Sequence, residues 1–218
     1  MRTNTFRTLA LCAALAAAAV ACKKDNTPNE GEKAVVVPDM MLGGVTWASV
    51  NVDDYQTFAA KPDTYTKLYQ WNRATAWSAA DSVSEWSYTR DESATWTNNP
   101  CPAGWRLPTH EEFQALHNAG TTWAEANERG NAVAGCFYGA NHATASLPNS
   151  MENCVFLPAV GFRYSSDGSL YLQGGNGYYW SATQSDSNHG YELRFDSTYS
   201  SSDHNSDKAS GFPLRCVK

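Results

Sequence analysis

Charged residues are scarce in this sequence, and positive charge is the scarcer kind. They make up 17% of the 218 residues, with 16 lysines and arginines against 22 aspartates and glutamates, so the formal net charge is −6. Lysine and arginine also form no cluster anywhere along the chain. Because nucleic-acid binding depends on clustered cations that neutralise phosphates, the sequence disfavours a nucleic-acid partner.

The usual sequence signals of a catalytic or metal site are also missing. The chain has no Gly-x-Ser-x-Gly motif, which marks a common serine nucleophile. Glu111 and Glu112 are adjacent, so on a helix they face different sides and cannot work as an acid–base pair. His110 and His117 do not have the i, i+4 spacing of a helical zinc pair, and we interpret both as surface residues. We therefore expect no enzyme activity, no metal and no other cofactor.

The apolar run at the start of the chain is typical of a secretory signal. Arg2 and Arg7 precede residues 9–21, which are almost wholly apolar and end in small residues. The run is shorter than the roughly 20 residues that a membrane-spanning helix needs. The alternative, a buried core helix, fits poorly because a polar tract follows at once. We predict a signal peptide over residues 1–21.

Cys22 follows this run and is the predicted site of lipidation. The segment Ala-Val-Ala-Cys at residues 19–22 resembles a bacterial lipobox, although Ala19 replaces the usual leucine. Residues 22–25, Cys-Lys-Lys-Asp, resemble the export tag of surface lipoproteins in Bacteroidetes. These resemblances imply an outer-membrane lipoprotein at the cell surface.

The rest of the chain divides into a tether and one domain. Residues 22–34 are polar and are predicted to form a flexible, lipid-anchored tether, while residues 35–218 form a single domain. No second long apolar run exists, so the lipid is the only expected membrane contact. With 8 tryptophans, 11 tyrosines and 8 phenylalanines, the domain can bury a sizeable core.

Four cysteines remain for the domain once Cys12 has left with the signal and Cys22 carries lipid. They are Cys101, Cys136, Cys154 and Cys216. An even number in an exported chain favours disulfides, and four cysteines allow three pairings. Zinc is the alternative, but the chain has no CxxC spacing to support it.

Two segments carry helix signals. Thr109 and Glu112 can form a capping box, and Phe113 and Leu116 then share one helical face, with Gly120 as the stop. The pattern of Thr122 and Glu125, ending at Gly130, predicts a second short helix.

Later segments read as antiparallel strands. The Ser166-Asp167-Gly168 turn predicts a hairpin, and strands are predicted over residues 178–180, 191–196 and 212–217. Early helices and late antiparallel strands together predict an α+β fold.

Six motifs in combination resemble one known family, the Fibrobacter succinogenes major paralogous domain of bacterial surface proteins. They are Gly43–Trp47, Leu68–Trp71, Cys101–Thr109, Leu157–Arg163, Trp180–Thr183 and Gly211–Cys216. The resemblance covers residues 42–218. It departs from the family at Val160 and in the polar stretch of residues 77–96, which we interpret as a long loop.

The resemblance also implies a fold and a disulfide pattern. The start and end motifs are similar to those of the C-type lectin-like fold, in which two short helices lie beside a small, twisted antiparallel sheet whose termini meet. This implies a Cys101–Cys216 disulfide, which leaves Cys136 to pair with Cys154.

Two polar segments near the end are candidates for a ligand site, with Trp180 as a stacking platform. One holds Asp186, Asn188 and His189, and the other holds Asp203, His204, Asn205 and Asp207. The predicted ligand-binding residues are Trp180, Asn188, His189, Asp203 and Asn205. Ordinary turn chemistry is the alternative, and it accounts for such composition more often. Calcium is disfavoured because Leu147-Pro148-Asn149 replaces the lectin motif Glu-Pro-Asn.

Three functional hypotheses follow, in order of preference. The first is a non-catalytic surface module for adhesion that binds a glycan or a protein. The second is a structural or accessory subunit of a surface appendage. The third is an enzyme similar to the formylglycine-generating enzymes, which needs two close reactive thiols that disulfides would consume.

Overall fold

Antiparallel strands dominate the described part of the chain. The computed structural model describes residues 39–218, so the predicted signal peptide, Cys22 and the tether lie outside it. The helix α1 is His110–Asn118. The strands are β1 (Met40–Leu42), β2 (Val45–Asn51), β3 (Thr121–Ala124), β4 (Gly135–Gly139), β5 (Cys154–Pro158), β6 (Phe162–Arg163), β7 (Leu170–Tyr171), β8 (Gly177–Gln184), β9 (His189–Phe195), β10 (Ser200–Asp207) and β11 (Arg215–Val217).

The strands form four small sheets. Their orders are β1-β2-β11, β3-β4-β5, β6-β7 and β10-β9-β8, and every pairing within them is antiparallel. Strand β11 pairs with β2 so that Val217 lies opposite Trp47. The last strand of the chain therefore returns to the first part of the domain.

Strand β8 separates two hydrophobic clusters. Tyr179 packs on one side with Phe113 of the helix, whereas Tyr178 and Trp180 pack on the other side with Trp71. This alternation follows from the two-residue period of a strand, in which neighbouring side chains point to opposite faces. Both faces of β8 are therefore covered, and this strand lies inside the domain.

The predicted helix is confirmed as α1. Thr109 is its N-cap, and the reciprocal bonds of the capping box with Glu112 are both present. Phe113 and Leu116 are its buried residues, as their spacing predicted. This helix can be read from sequence because its start depends on hydrogen bonds within four residues.

The second predicted helix is wrong. Its first residues form strand β3, in which Thr122 pairs with Phe137 of β4. Asn127 then adopts a positive φ of 65°, and the Asn131 side chain donates to the Glu125 carbonyl oxygen over 2.8 Å. A left-handed residue interrupts a helix, so Glu125–Gly130 is a turn closed by an asparagine.

The α+β, C-type lectin-like expectation is therefore corrected. Eleven strands and one short helix make the described residues mostly β, with four small sheets rather than one sheet beside two helices. The hairpin around Gly168 is confirmed, since β6 and β7 flank it and Gly168 has a φ of 72°.

One predicted disulfide is confirmed and the other is wrong. Cys101 is bonded to Cys216 and ties β11 to the early half of the domain. Cys136 and Cys154 are both buried and form no disulfide within the described part of the chain. They lie on adjacent strands, but Cys136 packs in the cluster with Tyr138 and Cys154 in a separate cluster with Phe156. Their side chains leave the sheet on opposite faces, so no bond can form.

A long irregular region connects β2 to α1. Residues 52–109 contain isolated bridges but no helix or named strand. Side chains hold it in place: Trp71 Nε1 donates to the Ser93 carbonyl oxygen over 3.1 Å, and Gln70 Nε2 to the Ala209 carbonyl oxygen over 2.9 Å. No helix among the described residues is long and apolar enough to cross a membrane.

Candidate functional site

Trp180 does not offer a face to a ligand. Its side chain is fully buried, with 0% exposure, and its ring stacks on Phe212 with 4.2 Å between centroids. Its Nε1 donates to the Tyr69 carbonyl oxygen over 3.0 Å. Trp180 is therefore a core residue, and its prediction as a stacking platform is wrong.

The first polar segment is a turn closed by Asp186. One carboxylate oxygen of Asp186 accepts the backbone N–H groups of Asn188 and His189 over 2.7 and 2.9 Å. The hydrogen bond from the Asn188 backbone is the largest cause that lowers the pKa of Asp186. The same carboxylate lies 2.9 Å from His189 Nδ1. These polar groups satisfy one another, which is the turn chemistry of the alternative interpretation.

The second polar segment is not a loop but strand β10. Asn205 lies opposite Tyr191, and Asp207 lies opposite His189. At about 3.3 Å per residue, Asp203 is therefore roughly 13 Å along the strand from the first turn. The predicted ligand residues do not form one cluster.

Asp203 instead joins β10 to the helix. One of its carboxylate oxygens lies 2.9 Å from Gln114 Nε2, which donates to it, and 3.1 Å from His110 Nε2. The His110 ring stacks on Tyr191 with 3.9 Å between centroids. Both predicted surface histidines thus take part in packing, since His117 Nδ1 lies 3.1 Å from Ser200 Oγ.

A groove of about 540 Å³ opens at the end of β8. Its walls are the irregular segment 94–99, the turn before α1 and the last residues of β8; we call it the Trp96 groove. Its apolar residues are Ala94, Trp96, Leu107 and Ala182. Its polar residues are Thr95, Asn99, Arg106, Thr109, Thr183 and Gln184. A cavity of this size with an apolar lining and a few polar groups suits a small ligand or part of a larger one.

Trp96 packs against Trp71, which in turn packs against Trp180. Its ring centroid lies 5.3 Å from that of Trp71, which in turn meets Trp180 edge-on at 5.6 Å. Trp96 itself is only partly buried. A rigid, partly exposed indole of this kind offers a preformed apolar surface at low entropic cost.

Arg106 forms the charged wall of the groove, and Glu112 neutralises it. Its Nη1 and Nη2 donate to the two carboxylate oxygens of Glu112 over 2.8 and 2.7 Å. This pairing raises the pKa of Arg106. Glu112 also accepts the backbone N–H of Thr109 over 2.8 Å. The helix cap thereby fixes both the charge and the shape of this wall.

The remaining polar groups are also positioned by the protein. Asn99 Nδ2 donates to the Trp105 carbonyl oxygen over 2.8 Å, so this amide shapes the wall. The Thr183 hydroxyl oxygen accepts the backbone N–H of His110 over 3.0 Å. Lys208 Nζ donates to Gln184 Oε1 over 3.1 Å.

Comparison with known proteins identifies the family. Residues 21–218 match the family described as the Fibrobacter succinogenes major domain. The chain belongs to this family. No curated protein and no solved structure matches the chain. The resemblance seen in the sequence motifs is thus confirmed, while the C-type lectin-like part of it is not.

The Fibrobacter motifs and the groove coincide in part. The motif that ends at Thr109 and the motif that ends at Thr183 supply two walls of the Trp96 groove. The third wall, with Trp96, is the end of the stretch where the sequence departs from the family motifs. The groove therefore joins two walls built from these motifs to a third that lies outside them.

Sequence reasoning missed Trp96 and Gln184. The only signal for Trp96 was a large aromatic residue inside a polar, Ser- and Thr-rich loop, a place where binding residues concentrate. Gln184 carried no signal, because its role depends on Lys208, which is distant in sequence.

Proposed function

We propose that this chain is a non-catalytic, lipid-anchored surface module that binds a glycan in the Trp96 groove. The observation that carries the proposal is the composition of the groove, where a preformed indole face lies next to positioned hydroxyl, amide and guanidinium groups. A sugar ring has an apolar C–H face that packs on an aromatic ring, and hydroxyl groups that require hydrogen-bond partners. A groove with both features meets both requirements.

The pairing of the charged groups at the groove favours binding over catalysis. Within residues 39–218 the groove contains one charged side chain, that of Arg106, and Glu112 already accepts two hydrogen bonds from it. Neither residue is free to move a proton. Ser200, which lies beside His117, also contacts the Tyr138 hydroxyl over 2.8 Å and packs at the helix rather than in the groove.

The membrane anchor is a separate part of the proposal. Cys22 follows a signal-like segment and lipobox residues, and a diacylated cysteine with a third chain would hold the protein stably at a membrane. Growth with a clickable fatty acid should label the wild type and leave Cys22→Ala unlabelled. Equal labelling of both proteins would contradict lipidation at Cys22. Surface exposure is tested separately, by treating intact cells with a protease and measuring whether the protein is cleaved.

The groove is tested by binding measurements on two aromatic variants. We expect Trp96→Ala to weaken glycan binding by about tenfold or more, because the apolar platform is lost. Trp96→Phe retains a ring and should keep part of the affinity. Tyr164→Ala is the matched control, because Tyr164 is an exposed aromatic residue, at 48%, outside the groove lining.

The same measurements distinguish glycan binding from the alternative function, that of an accessory subunit in a surface assembly. A glycan array screened with the wild type should give positive sugars whose signals disappear in Trp96→Ala and persist in Tyr164→Ala. Near-ultraviolet circular dichroism must show that all variants are folded. A wild type that binds no glycan on the array, yet assembles with other surface subunits, would contradict glycan binding and favour an accessory subunit.

A further inference from the structure

The orientation of the Gln184 side chain decides what the end of the groove can recognise. A lysine ammonium can only donate hydrogen bonds, so the atom that Lys208 contacts over 3.1 Å must be the oxygen of the Gln184 amide. The two N–H bonds of that amide point away from the ammonium. Among residues 39–218 no hydrogen-bond acceptor engages them. The Gln184 amide therefore keeps both donors for a ligand, while Lys208 already engages its oxygen.

Lys208 is itself held firmly. It is buried, with 1% exposure, and its Nζ also donates to the carbonyl oxygens of Ser93 and Ser187 over 3.0 and 3.2 Å. The ammonium lies 5.1 Å from the centroid of the Trp71 ring. With three acceptors and a ring face, the lysine has no freedom to release the amide of Gln184, so the donor orientation is built in.

The oxygens of the threonine hydroxyls in the groove, like the oxygen of the Gln184 amide, already accept hydrogen bonds from the protein. The oxygen of Thr183 already accepts the backbone N–H of His110, and the oxygen of Thr109 accepts that of Glu112 over 3.2 Å. The Thr183 hydroxyl keeps its own proton to donate, whereas the Thr109 hydroxyl already bonds to the Glu111 carboxylate. Gln184 and Thr183 thus offer donors to the groove, which favours a ligand that supplies acceptor oxygens.

The charge of the groove limits which acceptors are favoured. Among the residues that the structure describes, Arg106 is the only charged one in the lining, and its guanidinium is engaged by Glu112 through two hydrogen bonds. An anionic sugar would have to compete with this carboxylate for the guanidinium. A neutral carbonyl oxygen needs only the amide and hydroxyl donors. Ala94 and Ala182 are small apolar residues of the same lining, on which a methyl group can pack.

We infer that the Trp96 groove selects neutral N-acetylated saccharides, whose acetamido carbonyl accepts from Gln184 while the methyl group packs on the alanines. The inference rests on the proposed glycan binding and adds its chemical class. Lys208 acts here as a positioning residue, since it orients Gln184 and is not itself part of the groove lining.

The test compares sugars that differ at one substituent. The array carries matched pairs in which the acetamido group of N-acetylglucosamine or N-acetylgalactosamine is replaced by the hydroxyl of glucose or galactose, together with sialylated and uronic-acid glycans. Affinities of the best pair are then measured by calorimetry. We expect the wild type to prefer the N-acetylated member by roughly tenfold, as for one well-made hydrogen bond with methyl packing.

Gln184→Glu is the decisive variant, because it keeps the shape and removes both donors. It should lose most of the preference for the acetamido group, so that the two members of each pair bind with similar affinities. Lys208→Met should also reduce the preference, since the amide is no longer oriented. Gln56→Glu, an exposed change outside the groove, is the control.

The outcomes separate the inference from the function on which it rests. Equal binding of both members of each pair, with loss in Trp96→Ala, would overturn the acetamido inference and leave glycan binding in place. A preference for sialylated or uronic-acid glycans would overturn it as well. A wild type that binds no glycan, or binds only peptides, would overturn both.

Discussion

Glu192 should make the stability of this domain depend on pH in an unusual direction. It lies on the central strand β9, opposite Trp180 on one side and His204 on the other, and is only 2% exposed. One carboxylate oxygen has no hydrogen-bond partner among the described residues. Burial raises the pKa of Glu192 to about 7, although a hydrogen bond from Ser206 and the charge of Arg194 oppose this.

The sign and size of the effect follow from linkage. The folded chain holds the proton of Glu192 up to about pH 7, whereas the unfolded chain releases it near its ordinary pKa of 4.5. Between these values the folded state binds more protons, so stability falls as pH rises and the loss is complete above about pH 7. The difference corresponds to about 3 kcal/mol of unfolding free energy.

Glu192→Gln isolates this contribution, because it keeps the shape and cannot ionise. Urea unfolding from about pH 4 to pH 8 should show little difference from the wild type at the acidic end. At the alkaline end the variant should be more stable by up to about 3 kcal/mol. Glu85→Gln, a change at an exposed carboxylate, is the control. Parallel stability curves for the wild type and Glu192→Gln would refute the reasoning.

Three further predictions concern the cysteines and the helix. Replacing Cys101 and Cys216 together by alanine should lower the unfolding free energy by about 4–5 kcal/mol, and an unchanged urea midpoint would contradict the expected loop-closure effect. Cys136 and Cys154, whose pKa values burial raises to about 12, should react with iodoacetamide only after denaturation; peptide mapping that finds native-state labelling would contradict their burial. Thr109→Ala should cost about 1 kcal/mol in urea unfolding, and a loss near zero would mean that the cap does not stabilise α1.

The parts of the fold that could be predicted depend on local chemistry. The cap of α1 needs only Thr109 and Glu112, and the β6–β7 hairpin needs a glycine at a positive φ in its turn. The second helix failed although its local signal was similar, because Thr122 pairs with Phe137 of a later strand. Strand pairing brings distant segments together, and a pattern within a short window does not contain that information.

Strand β10 shows why polar composition misled the prediction of the site. Its sequence, Ser-Ser-Ser-Asp-His-Asn-Ser-Asp, has no apolar alternation and reads as a loop. It is nevertheless a strand at the edge of its sheet, since β9 supplies hydrogen bonds to its backbone irrespective of the side chains. Edge strands often carry polar residues because one side has no further strand to pair with.

The position of the Trp96 groove explains how this fold can hold a specific site. Two of its walls are rigid, because one is the capped start of α1 and the other is the end of β8, between two hydrophobic clusters. The third wall belongs to an irregular segment. Trp71 and Lys208 hold this segment in place by donating hydrogen bonds to the carbonyl oxygen of Ser93. Main-chain carbonyls are present whatever the side chain, so residues 94–96 can change without loss of these anchors. Selection for a different ligand can therefore act on this wall while the scaffold stays the same.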